Sequence, residues 1–122
     1  MALRVLHVLD HSLPLQSGYT FRTLALLREQ RALGWETFQL TSPKHYAAGM
    51  LEEEEVGGLH FFRTPLRSRG LARLPVVDNA MVIRATAARI DQLIARLRPD
   101  ILHAHSPCLN GLAALSAARR HR

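Results

Sequence analysis

Residues 1–22 read MALRVLHVLDHSLPLQSGYTFR, and this stretch decides the fold. Leu3 to Leu9 is an apolar run broken only by Arg4 and His7. Apolar residues that run on instead of alternating predict a strand buried on both faces, here Arg4 to Asp10. A polar loop containing Pro14 follows, Asp10 to Ser17, and Gly18 leads into a segment of helical periodicity. Strand, loop, glycine, helix is the order of a phosphate-binding turn in an α/β sheet. Neither G-x-G-x-x-G nor G-x-x-x-x-G-K-[ST] is present, so the turn is neither a dinucleotide fingerprint nor a P-loop. A plainer role is open to both turn residues: Ser17 as a helix cap and Gly18 as relief of crowding. His7, inside the strand, reads as a core histidine with a hydrogen-bonded ring.

The rest of the chain repeats this grammar. Thr20 to Leu33 predicts a helix with Leu24, Leu26, Leu27 and Ala32 on its apolar side. Arg22, Arg28, Glu29, Gln30 and Arg31 are expected outside. Gly34 ends the helix, and Trp35 to Thr41 favours a second strand, giving a βαβ unit and a parallel sheet. Ser42 to Gly58 reads as irregular, with Glu52 to Glu55 a solvated loop or short helix. Gly57-Gly58 turns the chain into a strand, Leu59 to Arg63. A basic loop follows to Leu74, whose arginines at 63, 67, 69 and 73 are solvated or face an anion. Val77 to Leu97 predicts a long helix capped by Asp78 or Asn79 and stopped by Pro99. Its apolar stripe is better explained by packing on the sheet than by a membrane surface. Asp100 to His105 is the next strand, and Asn110-Gly111 opens a last helix to Arg120. The order β-α-β-loop-β-α-β-α is that of one doubly wound α/β domain with a parallel sheet.

Composition narrows the function. The 122 residues carry a formal net charge of +6, with Lys44 the only lysine. The arginines are scattered and there is a single Trp, so no basic-aromatic patch marks a nucleic-acid partner. One cysteine, Cys108, excludes an internal disulfide and fits a reducing compartment. No signal peptide or membrane-length apolar run is evident, so a cytoplasmic protein is expected, with peripheral membrane contact compatible.

In a doubly wound sheet the first strand is central, and the strand after the long crossover lies beside it. Ligands bind outside the carboxyl ends of such strands. That topology places His11, Ser12, Ser17, Gly18, His105, Ser106 and Asn110 around one cleft. His103 and His105 are two apart on a strand and share a face. As a metal pair they need a third ligand, and no H-E-x-x-H or C-x-x-C supplies one, so no metal is expected. His105 is read instead as a hydrogen-bonding group for a hydroxyl or phosphate, with His103 behind it. No nucleophile elbow and no paired glycosidase acids are present.

Three stretches, in order, carry a family resemblance: RVLHVLDHSLPLQSGYTFRTLALLREQRALGWETFQLTS, GLHFFRTP and RPDILHAHSPCLNGLAALSAARR. Together they resemble the amino-terminal part of a GT-B-fold glycosyltransferase of the family 4 type. The opening LDHSLPLQSGYTFR is similar to the branch associated with exosortase systems and exopolysaccharide assembly in Gram-negative bacteria. The resemblance implies a three-layer αβα Rossmann-like sheet, truncated, with residues 1–122 an incomplete acceptor-side domain and the nucleotide-sugar domain absent. It implies retaining transfer of a sugar, of the hexosyltransferase type, from a nucleotide-sugar donor to a glycan or lipid-linked acceptor, without metal or cofactor. Ser17 and Gly18 match the glycine loop that approaches the donor diphosphate, with Ser-Gly where many members have Gly-Gly. His105, Ser106 and Asn110 match the acceptor side, to which His11, Ser12, Tyr19 and Arg22 are also assigned. No catalytic residue is assigned, and the 122 residues alone are expected to be inactive. Location is expected in the cytoplasm, peripheral at the inner membrane. Without an outer neighbour, Asp100 to His105 is expected to be an edge that self-pairs into a homodimer. The alternatives are a non-catalytic Rossmann-like ligand-binding or interaction module, and a GT-B-like epimerase or other α/β nucleotide enzyme.

Overall fold

The apolar run forms β1 (Arg4–Leu9), and from Val5 to Leu9 every side chain is buried. In this computed structural model the described residues are 2–14, 16–43, 51–64, 75–105 and 109–121. The elements after β1 are α1 (Gly18–Ala32), β2 (Glu36–Thr41), β3 (Glu53–Val56), β4 (Leu59–Arg63), α2 (Pro75–Leu97), β5 (Ile101–Ala104) and α3 (Leu109–Arg120). The five strands form one sheet in the order β3-β4-β2-β1-β5. β1 pairs in parallel with β2 on one side and β5 on the other, and β2 pairs in parallel with β4. The architecture is a mostly parallel, Rossmann-like α/β sheet, as the family resemblance implies.

The two faces of the sheet differ in chemistry. Leu6 and Val8 point to one face, where Leu40, Phe62, Ile90, Leu93, Ala113 and Ala117 complete the main core under α2 and α3. The other face, under α1, holds a smaller apolar group, Leu24, Leu27, Leu59 and Phe61. Strand periodicity and register also put His7, Gln39, Thr41 and Arg63 on that face, all buried. The helix above answers in kind: Gln30 is buried, not solvent-facing as its charged neighbours suggest, while Ala32 is exposed. Buried polar groups need partners, and α1 supplies several of them.

Four local expectations change. The acidic run is strand β3, antiparallel to β4, so the sheet is mixed and not wholly parallel. Gly57 and Gly58, at φ +61° and +79°, make the hairpin turn, a backbone that glycine adopts without strain. The glutamates are tolerated because β3 is an edge strand with cationic partners. Glu53 reaches Arg96 at 3.0 Å and His60 at 3.0 Å, and both hold its carboxyl below the usual range, Arg96 most. Glu54 reaches Arg63 at 2.8 Å. α2 begins at Pro75, a residue suited to the first helical position, so Asp78 and Asn79 lie inside the helix and neither caps it. α3 begins at Leu109, which puts Asn110 in its first turn. Arg63 is fully buried and does not face solvent; the arginines at 67, 69 and 73 lie outside the described residues. No helix among the described residues is long and apolar enough to cross a membrane.

Candidate functional site

The carboxyl ends of β1 and β5 lie side by side, because successive connections leave β1 toward opposite edges of the sheet. This is the topological switch point, the usual ligand position in an open α/β sheet. On the β1 side the loop is tied to the start of α1. Ser17 Oγ accepts from the Thr20 amide at 3.1 Å and so caps the helix. His11 Nε2 lies 2.8 Å from that same oxygen, and the His11 ring sits 4.7 Å from the Tyr19 ring. The Asp10 amide in turn donates to the Tyr19 hydroxyl at 3.1 Å. His11, Ser17 and Tyr19 are thus one half-buried unit over the end of β1, with Gly18 and Arg22 exposed beside it.

Ser17 fills the plain role of a cap. Gly18 is not required by the backbone, since its φ is not positive. A Cβ added there would meet nothing within 4 Å, so the space beside it is open. That space adjoins the first turn of α1, whose amides carry partial positive charge.

On the β5 side Asn110 stitches the two strand ends together. Its Nδ2 donates to the His105 carbonyl at 2.8 Å and to Asp10 Oδ1 at 3.1 Å. Asn110 Oδ1 is buried without a hydrogen-bond partner among the described residues. His105 is buried, and its amide donates to the Val8 carbonyl at 2.9 Å. Ser106 and Cys108 lie outside the described residues.

A chain of side-chain hydrogen bonds runs back from His105 under α1. His7 Nε2 lies 2.7 Å from Gln30 Oε1, an oxygen that only accepts, so Nε2 carries the hydrogen. His7 Nδ1 therefore accepts, and His105 Nε2 donates to it at 2.9 Å. Burial pushes both imidazoles down, each to about 4, and the neighbouring His103 acts in the same direction on both. His7 and the exposed Arg22 add to the shift at His105. Both rings are neutral at pH 7, and His105 is left with a lone pair on Nδ1. Such a ring accepts a hydrogen bond well and takes up a proton poorly. His7 is thus the core histidine its position suggests. His103 shares a face with His105, as its spacing predicts, with the rings stacked at 4.2 Å, but it is exposed on the edge strand instead of lying behind.

One expected site residue is turned away. Ser12 is buried, and its hydroxyl accepts from Arg63 at 2.7 Å. The Arg63 guanidinium also donates to the Leu13 carbonyl at 2.6 Å, to Thr41 Oγ1 at 3.3 Å and to Glu54 at 2.9 Å. Burial lowers the Arg63 pKa, while Glu54 opposes that shift. Ser12 anchors the loop from beneath, and Arg63 is the anchor that local sequence reading misses. No short motif announces it, since its partners come from a loop and two other strands. An open depression lined by Arg4, Arg31, Trp35 and Phe38 lies at the amino-terminal ends of β1 and β2, opposite the site. In a parallel sheet that end is not where ligands bind.

No curated protein and no solved structure matches the chain at a significant level. A family model described as glycosyl transferase 4-like domain matches residues 17–122, from the cap of α1 through α3. With most of its length matched, from the open glycine turn to the Asn110 stitch, the chain belongs to the glycosyl transferase 4-like family.

Proposed function

We propose that the chain forms the acceptor-side wall of a retaining glycosyltransferase that moves a hexose from a nucleotide-sugar donor to a glycan or lipid-linked acceptor in exopolysaccharide synthesis. The observation that carries this reading is the family match together with the polar strand ends at the switch point. In this reading a second domain holds most of the nucleotide, and transfer needs neither metal nor cofactor. The exposed Gly18 turn lets the donor diphosphate approach the amino-terminal end of α1. Ser17 and His11 fix that turn. On the acceptor side, His105 Nδ1 takes a hydrogen bond from a substrate hydroxyl, and Arg22 and Tyr19 line the approach. Ser106, outside the described residues, is assigned to the acceptor by the family resemblance. Asn110 holds the two halves of the site in register and offers Oδ1 to a donor group. These groups act by positioning and by electrostatic support, since a ring with a pKa of about 4 is a weak base at pH 7. The protein works in the cytoplasm, at the surface of the inner membrane.

The test is sugar transfer by the complete enzyme with a panel of nucleotide-sugars and lipid-linked acceptors. His105→Ala is expected to reduce transfer by about tenfold or more, the scale of one lost hydrogen bond in a closed site. The substitution also strips His7 Nδ1 of its donor and lowers the melting temperature, so transfer is compared at a temperature where parent and variant are both folded. Full transfer by His105→Ala would remove His105 from the acceptor wall. Failure of every nucleotide-sugar would favour the non-catalytic binding module.

A further inference from the structure

The third ligand that the His103-x-His105 pair lacks in sequence is supplied by the fold. β1 and β5 run parallel in a register that sets His7 directly opposite His103. His7, His103 and His105 each offer a ring nitrogen, and those atoms all lie within 4.8 Å of one another. His7 and His105 are buried, and His103 is exposed at the edge, which gives an ion a way in. The rings of His103 and His105 each sit 5.1 Å from that of His7.

We propose that His7, His103 and His105 bind one zinc-type divalent ion, with the fourth position open to water. Imidazole nitrogens suit zinc, and three protein ligands with one open position are a common arrangement for it. The hydrogen bond from His7 Nε2 to Gln30 Oε1 is the orienting contact that metal-bound histidines usually make. It leaves His7 Nδ1 as a lone pair facing His105 Nε2, with a His103 ring nitrogen within 4.8 Å. Zinc–nitrogen bonds of about 2.0–2.1 Å put tetrahedral ligand atoms about 3.3 Å apart. His7 Nδ1 and His105 Nε2 are already 2.9 Å apart, and the exposed His103 is free to rotate in. The ion takes the place of the hydrogen between His7 and His105. His105 remains neutral, its hydrogen moving through solvent from Nε2 to Nδ1, so no net proton is released. The ion ties the edge strand to the centre of the sheet; in the loaded chain His105 Nδ1 carries the hydrogen and donates, so the accepting role proposed above belongs to the metal-free chain.

The test is a cobalt(II) titration of the metal-stripped chain at pH 7.5, followed by zinc displacement. The expected result is one equivalent of four-coordinate cobalt by visible absorption, lost on adding one equivalent of zinc, with a melting temperature that rises with zinc concentration. His103→Ala, a change at an exposed side chain, should fold as the parent does and lose the cobalt spectrum. Gln30→Leu should weaken binding by about 10–100-fold, the usual effect of removing an orienting partner. His60→Ala and His121→Ala should bind as the parent does. An absent four-coordinate spectrum, or one that survives His103→Ala, overturns the site. So does a stoichiometry that falls with His60→Ala or His121→Ala.

Discussion

His105 has its protonation state set by two neighbours rather than by its own exposure. Gln30 fixes the tautomer of His7, and His7 fixes that of His105. His105 Nδ1 is therefore an acceptor, and protonation would turn the ring into a cationic donor. Since its pKa lies at about 4, ligand binding through His105 should be flat from pH 8 to about 5 and fall as pH approaches 4. A pH series of ligand affinity checks this; a midpoint near 6.5 would mean an ordinary, solvated ring. Arg63 is the second residue whose surroundings decide its meaning. Removing it strands Glu54 and leaves the Leu13 carbonyl and Ser12 hydroxyl without the donor they now share. Arg63→Met should cost about 3 kcal/mol or more by urea unfolding, the scale of a broken buried ion pair. Arg63→Lys should recover little, because one ammonium cannot span the positions that the planar guanidinium reaches.

At the scale of elements, what the sequence discloses depends on how local the cause is. β1, α1 and the strand after Gly58 are legible because their signals lie within a few residues: an apolar run, a cap, a glycine pair. The Ser17 cap is worth about 1 kcal/mol, so Ser17→Ala should lower the melting temperature and Ser17→Asp should restore it. β3 is not legible, because four residues reading EEEV become a strand only through cations and a ladder partner elsewhere in the chain. The inward turn of Ser12 is hidden for the same reason, its partner lying 51 residues away. The switch point itself was readable from topology, which tolerates shifts of a few residues at element ends. The meeting of His7 with His103 was not, since it needs the exact parallel register. Among the described residues β5 has no outer neighbour, with Ile101 46% exposed and Leu112 and Leu115 exposed on the adjoining α3. Uncovered edges recruit partners, so concentrated chain should self-associate and Ile101→Lys should hold it monomeric. Light scattering decides; a parent that stays monomeric at high concentration ends that expectation.

For the molecule as a whole, one face of the sheet is apolar and the other is wired with polar groups, and the buried histidines of the second face respond to acid. The unfolded chain takes up protons on His7 and His105 near 6.5, whereas the folded chain resists until about 4. Between those values the unfolded state binds more protons, so stability falls as pH drops from 6.5 toward 4 and is fully present above 6.5. At about 1.4 kcal/mol per pKa unit, each ring should cost on the order of 3 kcal/mol across that window, and the pair up to about twice that. Urea midpoints at pH 7 and pH 4.5 measure it, and His7→Gln should flatten the dependence. Arg63 has a different consequence, for the way the protein opens. Its guanidinium joins the loop after β1, strand β2 and strand β3 through one buried charge. A segment that swings out alone leaves the buried charge short of a partner. Backbone amides of the loop and of the β3 hairpin should therefore exchange with solvent deuterium through one shared opening, at one free energy, though far apart in sequence. The wall of the cleft and the far edge of the sheet would breathe as a single cooperative unit.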